Sequence, residues 1–233
     1  MSLVIHLLGP AVVENNGVAV PAPRGHKAWG LLTYLLRNPA PSSRERLSGL
    51  LFPEADDPLG SLRWTLSVLR RFLGDDLVLE GDPLRLSLPR ATFVDVDVLS
   101  RGSWVEAVGL PGLGHELLDG MAFPSSPGFE IWLENERRHV AGTTAGVLRQ
   151  AALARLGYGE PQIAVQHASE LVRLEPFDEN AHALLVRCLR AVGDLEGAAQ
   201  HVALLGAAWC AANPGPKRAA DTGLTTAMCP RLV

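Results

Sequence analysis

The chain has 233 residues, enough to bury one large hydrophobic core or two modest ones, and this length favours two domains. Its composition, 47% hydrophobic and 20% charged, is typical of a soluble globular protein. No stretch reaches the roughly 18 consecutive apolar residues of a membrane span. The formal net charge of -4 argues against indiscriminate nucleic-acid binding, so a role on DNA requires locally concentrated positive charge.

The three cysteines, Cys188, Cys210 and Cys229, are far apart in the sequence and form no CxxC pair. No histidines lie at zinc-finger spacing from them, so we predict reduced thiols, no disulfide and no metal site. Cys188 is expected to be buried in a helix. The apolar N-terminal segment has no basic leader and is interrupted by Gly9 and Pro10, which predicts a strand of a cytoplasmic protein rather than a signal peptide.

The first 90 residues divide into short patterned segments. Residues 4–20 place β-branched runs around an Asn15-Asn16-Gly17 turn, which predicts a small antiparallel sheet. Three helical patterns follow, over about 25–38, 43–51 and 59–73. Residues 76–80 and 84–88 then alternate apolar and polar side chains around a Gly-Asp-Pro turn, which predicts a second hairpin.

This order of strands, three helices and a hairpin is typical of a winged helix-turn-helix. In that fold the third helix enters the major groove of DNA. A three-helix bundle with additional strands is the alternative, but it does not explain why the hairpin directly follows the third helix. We therefore predict an N-terminal α+β winged helix-turn-helix domain over residues 1–92.

The third predicted helix has two distinct sides. Its leucines fall within one narrow arc of a helical wheel and are predicted to face the core: Leu62, Leu66, Leu69 and Leu73. The opposite side presents Gly60, Trp64, Ser67 and Arg71, flanked by Arg63 and Arg70. Arginine can bond guanine, serine can bond bases or phosphate, and an aromatic face can meet thymine methyls. A solvated arginine face is the alternative, which Trp64 weakens because a large exposed apolar side chain needs a partner.

Positive charge is concentrated in the same region. Residues 24–73 contain eight Lys or Arg against four Asp or Glu, a local net charge of +4. Such a patch is expected where a protein contacts phosphates. We predict DNA-backbone contacts by Arg24, His26, Lys27, Arg44, Arg46 and Arg85. We predict that Arg63, Trp64, Ser67, Arg70 and Arg71 face the bases.

The remainder of the chain is predicted to be mainly helical. Residues 93–127 are rich in Gly and Pro and are expected to form a connector with short helices. Over 128–213, Gly157 and Gly193 lie 36 residues apart and Ala164 and Ala198 lie 34 apart, close to the tetratricopeptide period. We therefore predict an all-α tetratricopeptide-like domain over 128–213, followed by a poorly defined tail over 214–233.

Two sets of motifs occur in order along the chain. The first comprises Arg24-Gly25-His26-Lys27-Ala28, Ser43-Arg44-Glu45-Arg46-Leu47, Leu51-Phe52-Pro53, Ser61-Leu62-Arg63 and Leu69-Arg70-Arg71. The second comprises Val94-Asp95-Val96-Asp97, Leu118-Asp119-Gly120, Phe129-Glu130 and Trp132-Leu133-Glu134. The first set resembles the Streptomyces antibiotic regulatory protein type of winged helix, a variant of the response-regulator DNA-binding fold. The second resembles the bacterial transcriptional activator domain that accompanies it.

The resemblance implies a sequence-specific transcription regulator, acting as an activator, whose third helix reads double-stranded DNA. It also implies that the helical domain supports homodimerisation and contact with RNA polymerase. Trp64 and Val68 depart from the polar or basic residues usual in that family. No membrane partner or cofactor is expected, and the absence of a GK[ST] phosphate loop predicts no ATPase module.

Catalytic motifs are missing from the sequence. The seven histidines are scattered, with no HExxH, no GxSxG and no metal-spaced cluster, so we do not expect an enzyme. The alternative function is a helical-repeat interaction or scaffold protein whose winged helix binds protein or ligand rather than DNA. Trp64 and the net negative charge motivate that alternative.

Overall fold

A computed structural model describes residues 2–74, 78–89 and 91–212, with side chains described as far as residue 205. Within these ranges the strands are β1 (Leu3–His6), β2 (Val12–Asn15), β3 (Val18–Ala19), β4 (Val78–Glu80), β5 (Arg85–Ser87) and β6 (Phe93–Val94). The helices are α1 (Lys27–Arg37), α2 (Arg44–Leu51), α3 (Pro58–Leu73), α4 (Asp95–Arg101), α5 (Trp104–Ala107), α6 (Pro127–Gly157), α7 (Pro161–Leu174), α8 (Glu179–Val192) and α9 (Leu195–Ala212). The fold is therefore mixed: the described strands lie in the first 94 residues together with α1 to α3, and the described elements after residue 94 are helices.

The N-terminal sheet has the strand order β3-β2-β1-β6. The turn between β2 and β3 places Asn16 and Gly17 at positive φ, 52° and 77°, as a tight hairpin turn requires. β6 pairs in parallel with β1, so a strand beyond the predicted boundary at residue 92 completes this sheet. Sequence alternation predicts the hairpin, but it carries no signal for a pairing about 90 residues away.

Two of the three helices that follow, α2 and α3, begin at a side-chain N-cap. Ser43 accepts a hydrogen bond from the Arg46 backbone N–H at 3.2 Å and caps α2. Asp57 caps α3 by accepting from Gly60 N at 2.7 Å, and Pro58 occupies the first turn, where its missing N–H costs little. The observed helices lie within about two residues of the sequence-based bounds.

The β4–β5 hairpin lies against the connector between α1 and α2. Leu84 N donates to Ser42 O at 2.8 Å, and Ser42 N donates to Leu84 O at 3.3 Å. Leu79 and Leu84 are buried, so the hairpin shares the core of the three helices. Residues 75–77, where the sequence starts the first strand of this hairpin, lie outside the described residues.

Asp95 links the residues after β1 to the start of α4. Its carboxylate accepts from the backbone N–H groups of Leu7 at 2.8 Å, Leu8 at 2.9 Å and Val96 at 2.7 Å. Burial raises the pKa of the Asp95 carboxyl, although these three backbone donors act in the opposite direction. The Asp95 motif therefore has a structural explanation, since it joins β1 to the start of α4.

Two hydrophobic cores meet along α6. The first core joins the N-terminal sheet, α1 to α5 and the first half of α6, where Phe129, Leu133 and Val140 are buried. The second core joins the second half of α6 to α7 and α8, and it is rich in small residues such as Ala164, Ala168 and Cys188. The first core thus extends across the predicted boundaries at residues 92 and 127.

The helical end of the chain follows a simple order, in which α7, α8 and α9 each pack on the preceding helix. Gly193 ends α8 in the left-handed conformation, with φ of 90°, which glycine adopts at low cost. Cys188 is a buried free thiol in α8, as predicted. The side chain of Cys210, Cys229 and the predicted tail over 214–233 lie outside the described structure.

Candidate nucleic-acid interface

The inner side of α3 is built from the predicted leucines. Leu62, Leu66, Leu69 and Leu73 are all buried. Two further buried residues, Thr65 and Phe72, were not predicted to face the core. The Phe72 ring lies edge-on to Trp29 of α1 with their centroids 5.1 Å apart, so an aromatic contact fixes α3 against α1.

The outer side of α3 presents Arg63, Trp64, Ser67 and Arg71, all of which are exposed. Trp64 stands out because its side chain is 63% exposed. Arg71 has no side-chain hydrogen bond or ion pair with any described residue. The outer side therefore combines one available guanidinium with one large apolar ring.

Arg63 and Ser67 are partly engaged within the helix. The Arg63 guanidinium lies 3.5 Å from the Asp57 carboxylate, and both side chains are about two-thirds exposed, at 69% and 67%. An exposed pair at this distance is weak and is easily exchanged for another anion. Ser67 Oγ donates to the backbone carbonyl of Arg63 at 3.1 Å, which leaves its oxygen lone pairs able to accept.

Arg70, which the sequence places among the base-facing residues, points to the hairpin. Its Nη2 donates to the carbonyl oxygen of Leu79 in β4. This contact attaches the hairpin to the last turns of α3. Arg70 thus positions the hairpin in this structure. The helical wheel could not predict this contact, because the location of the hairpin relative to α3 is a feature of the tertiary structure.

Arg44, at the start of α2, also contacts the hairpin. Its backbone N–H donates to Asp82 Oδ1 at 3.0 Å, and its Nε donates to the carbonyl of Gly81 at 3.0 Å. The helix N-terminus that was expected to receive a phosphate therefore already holds the Asp82 carboxylate. The hairpin turn is fixed at both sides, by Arg44 and by Arg70.

Lys27, another predicted phosphate ligand, is directed into the protein. Its Nζ donates to Leu51 O at 2.7 Å and to Ser126 Oγ, and Ser126 Oγ donates to the same carbonyl at 2.5 Å. Burial lowers the pKa of Lys27, against the opposing influence of Glu54 and Glu130. Lys27 therefore connects α1, the end of α2 and the start of α6, through a partner 99 residues away that no local pattern could reveal.

The remaining predicted backbone ligands lie at the surface. Arg24, Arg46 and Arg85 are exposed, and none has a side-chain hydrogen bond or ion pair among the described residues. His26 is exposed as well, with Nδ1 3.2 Å from Ala122 O. These four residues are exposed, whereas Lys27 is half-buried.

An open cleft of about 700 Å³ adjoins the outer side of α3. Arg24, Phe52 and Trp64 line it together with the acidic pair Asp56 and Asp57. Positive charge at this surface is therefore interleaved with carboxylates. The interface is suited to selective contact with an anion and an apolar group, rather than to tight binding of any polyanion.

No group of three or more His, Cys, Asp or Glu side chains in the described part of the chain could hold a metal ion. Among the described residues, no helix has both the length and the apolar character needed to cross a membrane.

Much of the helical part of the chain matches a known domain family. Residues 96–201 match the bacterial transcriptional activator domain. The match begins in α4 and ends in α9, so it includes the start of α6 that completes the first core. None of the curated proteins matches this chain by sequence.

A solved structure of Mycobacterium tuberculosis EmbR, in complex with a low-affinity phosphopeptide, has a similar fold. The TM-score is 0.61 at 18% sequence identity. The similarity covers 90% of this chain and 60% of the EmbR chain, so this chain spans about three fifths of that relative. At this identity the likeness establishes a shared fold.

Within the activator-domain match, Arg149 of α6 links the helices to the loop after α7. Its Nη2 donates to Glu175 at 2.9 Å and to Asp178 at 2.6 Å. Between these two acids lies Phe177, whose side chain is 96% exposed. The activator-domain region thus holds an apolar side chain in solvent on a loop that is fixed by ion pairs.

Proposed function

We propose that this protein is a DNA-binding transcription activator of the Streptomyces antibiotic regulatory protein type. The observation that carries the proposal is the two-sided α3, in which a buried leucine row supports Arg63, Trp64, Ser67 and Arg71 at the surface. A helix with this arrangement can insert into the major groove while its inner side remains packed. The activator-domain match and the EmbR-like fold support the same assignment.

In this proposal residues 1–92 act as a winged helix-turn-helix, with α3 as the recognition helix and the β4–β5 hairpin as the wing. Arg24, His26, Arg46 and Arg85 contact phosphates in this proposal. Arg44, Arg70 and Lys27 act differently from the other basic residues, because their donors hold the hairpin and α6 in place. Phosphate contacts of this kind set orientation, while the outer side of α3 carries base preference.

The helical domain, proposed to be tetratricopeptide-like over residues 128–213, supplies protein contacts. We propose that it supports a homodimer and meets RNA polymerase in the cytoplasm. The activator-domain match at residues 96–201 and the exposed Phe177 support this role. Stacked helix pairs of this kind form surfaces that bind protein segments.

Binding of duplex DNA at varied salt concentration tests the proposal. The probe is a duplex selected from a random-sequence library by the purified full chain. Arg71→Ala is expected to weaken binding about tenfold or more, since a good arginine–guanine contact is worth ~1–3 kcal/mol. Arg190→Ala is the matched control, because Arg190 is exposed on α8, away from α3.

Arg70→Ala provides a second arm of the experiment. Because Arg70 holds the hairpin rather than facing solvent alone, its loss is expected to weaken all duplexes similarly and to lower thermal stability. Arg71→Ala is expected to leave thermal stability unchanged and to alter sequence preference. Equal effects of Arg71→Ala and Arg190→Ala on binding would contradict the proposed reading face.

A protein-interaction scaffold is the second candidate, and exposed apolar side chains favour it. Tyr158 is 70% exposed, Phe177 96% and Leu204 70%, all within the helical region. This candidate predicts no duplex affinity at low salt, together with self-association or RNA polymerase binding that Phe177→Ala removes. Salt-sensitive duplex binding by the full chain would reject it.

A further inference from the structure

Trp64 is an unusual residue for the surface of this protein. Four tryptophans have described side chains, and Trp64 is the exposed one among them, whereas Trp29 is 3% exposed. Tryptophan has the largest apolar surface of any side chain, so leaving it 63% exposed forgoes much of the free energy of burial. Its position in the second turn of α3 is where recognition helices contact base edges.

Three polar or basic side chains near Trp64 each have a contact within the protein. Arg63 lies near Asp57, and the Ser67 hydroxyl donates to the Arg63 carbonyl. Arg70 donates to the hairpin. Of the outer residues of α3, Trp64 and Arg71 therefore remain without a side-chain hydrogen bond or ion pair to any described residue.

An apolar ring in the major groove has one apolar group to meet on the base edges, the C5-methyl of thymine. We infer that Trp64 is a specificity-determining residue that packs against a thymine methyl group, while Arg71 supplies the polar base contact of α3. The inference rests on the proposed function and names what α3 selects. It predicts that tightly bound duplexes carry a thymine at the position that the second turn of α3 contacts.

The cleft beside α3 supports this orientation. The Trp64 ring lines the cleft together with Phe52 and Thr65, so one part of the ring is supported by protein and the remainder is left for a ligand. Arg24 lines the same cleft and can hold a phosphate next to it. An apolar contact thus lies in the same cleft as a guanidinium, and the carboxylates of Asp56 and Asp57 that also line the cleft disfavour a phosphate anywhere but next to Arg24.

The test replaces thymines of the library-selected duplex by deoxyuridine, one at a time. This change removes a single methyl group and keeps every hydrogen-bonding group of the base pair. For the full-length wild-type chain, one or two positions per half-site are expected to raise Kd about fourfold, from the hydrophobic value of one methyl-sized group. The other thymines are expected to have little effect.

Variants assign the sensitive thymine to Trp64. Trp64→Ala is expected to bind the original duplex several-fold more weakly and to bind the thymine and deoxyuridine forms equally. Trp64→Phe, which keeps an aromatic ring, is expected to retain the difference. Tyr158→Ala is the matched control, an exposed aromatic on the far helical region, and is expected to keep both the affinity and the difference.

The outcomes separate this inference from the proposed function. Salt-sensitive duplex binding without any deoxyuridine effect would overturn the thymine contact and leave the proposed function standing. A deoxyuridine effect that persists in Trp64→Ala would also overturn it. If the wild-type chain binds no duplex and Trp64→Ala instead loses a protein partner, both the proposed function and this inference fail.

Discussion

The two cores that meet along α6 differ in the size of their side chains and in the sequence separation of the elements they join. The first core uses large side chains, among them Phe123, Phe129 and Trp29, to join elements far apart in the sequence. The second core uses small ones, such as Ala164 and Ala168, to bring consecutive helices close together. The helices α1 to α3 therefore share a core with residues well outside the first 92, whereas α7 and α8 pack mainly on their neighbours in sequence.

Polar contacts follow the same division. In the first core, Lys27 reaches Ser126, and Arg37 Nε lies 2.8 Å from Glu136 of α6, so both contacts span 99 residues. In the helical region Arg149 reaches Glu175 and Asp178, less than 30 residues away. Long-range contacts of the first kind make the proposed DNA-binding surface sensitive to changes in α6.

Removal of a large side chain from the first core gives the largest expected effect. Phe129 is fully buried and packs edge-on against Phe123 with centroids 4.6 Å apart. Phe129→Ala is expected to lower the free energy of unfolding by ~3–5 kcal/mol, because it leaves a cavity. Urea unfolding measures the loss, and duplex binding is expected to weaken as well.

The control for that variant lies two residues away on α6. Ile131 is 67% exposed, and Ile131→Ala is expected to change the free energy of unfolding by less than about 0.5 kcal/mol. Unaltered stability and unaltered duplex binding in Phe129→Ala would show that α6 does not support the N-terminal region.

Enlarging a small side chain in the second core gives an intermediate effect. Ala168 is fully buried among the helices α6 to α8. Ala168→Leu is expected to cost ~1–3 kcal/mol in urea unfolding through overpacking, with duplex affinity unchanged. Gln166→Leu, on the exposed side of the same helix, is the control. Weakened duplex binding in Ala168→Leu alone would show that the two cores are coupled.

Acidification gives the smallest expected effect, at the contact between α8 and α9. His182 Nδ1 lies 2.9 Å from His201 Nε2, and burial together with His182 lowers the pKa of His201 below its ordinary 6.5. A lowered pKa means that the folded chain favours the neutral form of His201. The contribution of neutral His201 to stability is therefore present above about pH 6.5 and is lost as the pH falls through the lowered pKa.

We therefore expect the Tm to fall by about 2 °C more in the wild-type chain than in His201→Gln between pH 7.5 and pH 5. Differential scanning calorimetry measures the difference. His139→Gln, which removes an exposed histidine of α6, is expected to respond like the wild type. Identical pH responses of the wild type and His201→Gln would exclude this pair as the cause.

Local patterns predicted much of the N-terminal region. Leucine spacing identified the inner side of α3, and the predicted bounds of α1 to α3 lie within about two residues of the observed ones. The same patterns could not distinguish a structural role of Arg44, Arg70 and Lys27 from a DNA contact. A basic side chain that bonds the protein and one that faces solvent have the same local sequence pattern. Each of these side chains donates to a backbone carbonyl. Every residue has a backbone carbonyl, so the sequence does not indicate which one is the partner.

Local sequence patterns were enough to predict α1 to α3, the two hairpins and the apolar side of α3, because these follow from side-chain period over a few residues. The pairing of β6 with β1, the contact of Ser126 with Lys27 and the bond from Arg70 to the hairpin follow only from the tertiary structure. Such contacts depend on the packing of large side chains over long sequence separations. That packing leaves Trp64 and Arg71 exposed on the outer side of α3, without a side-chain hydrogen bond or ion pair to any described residue.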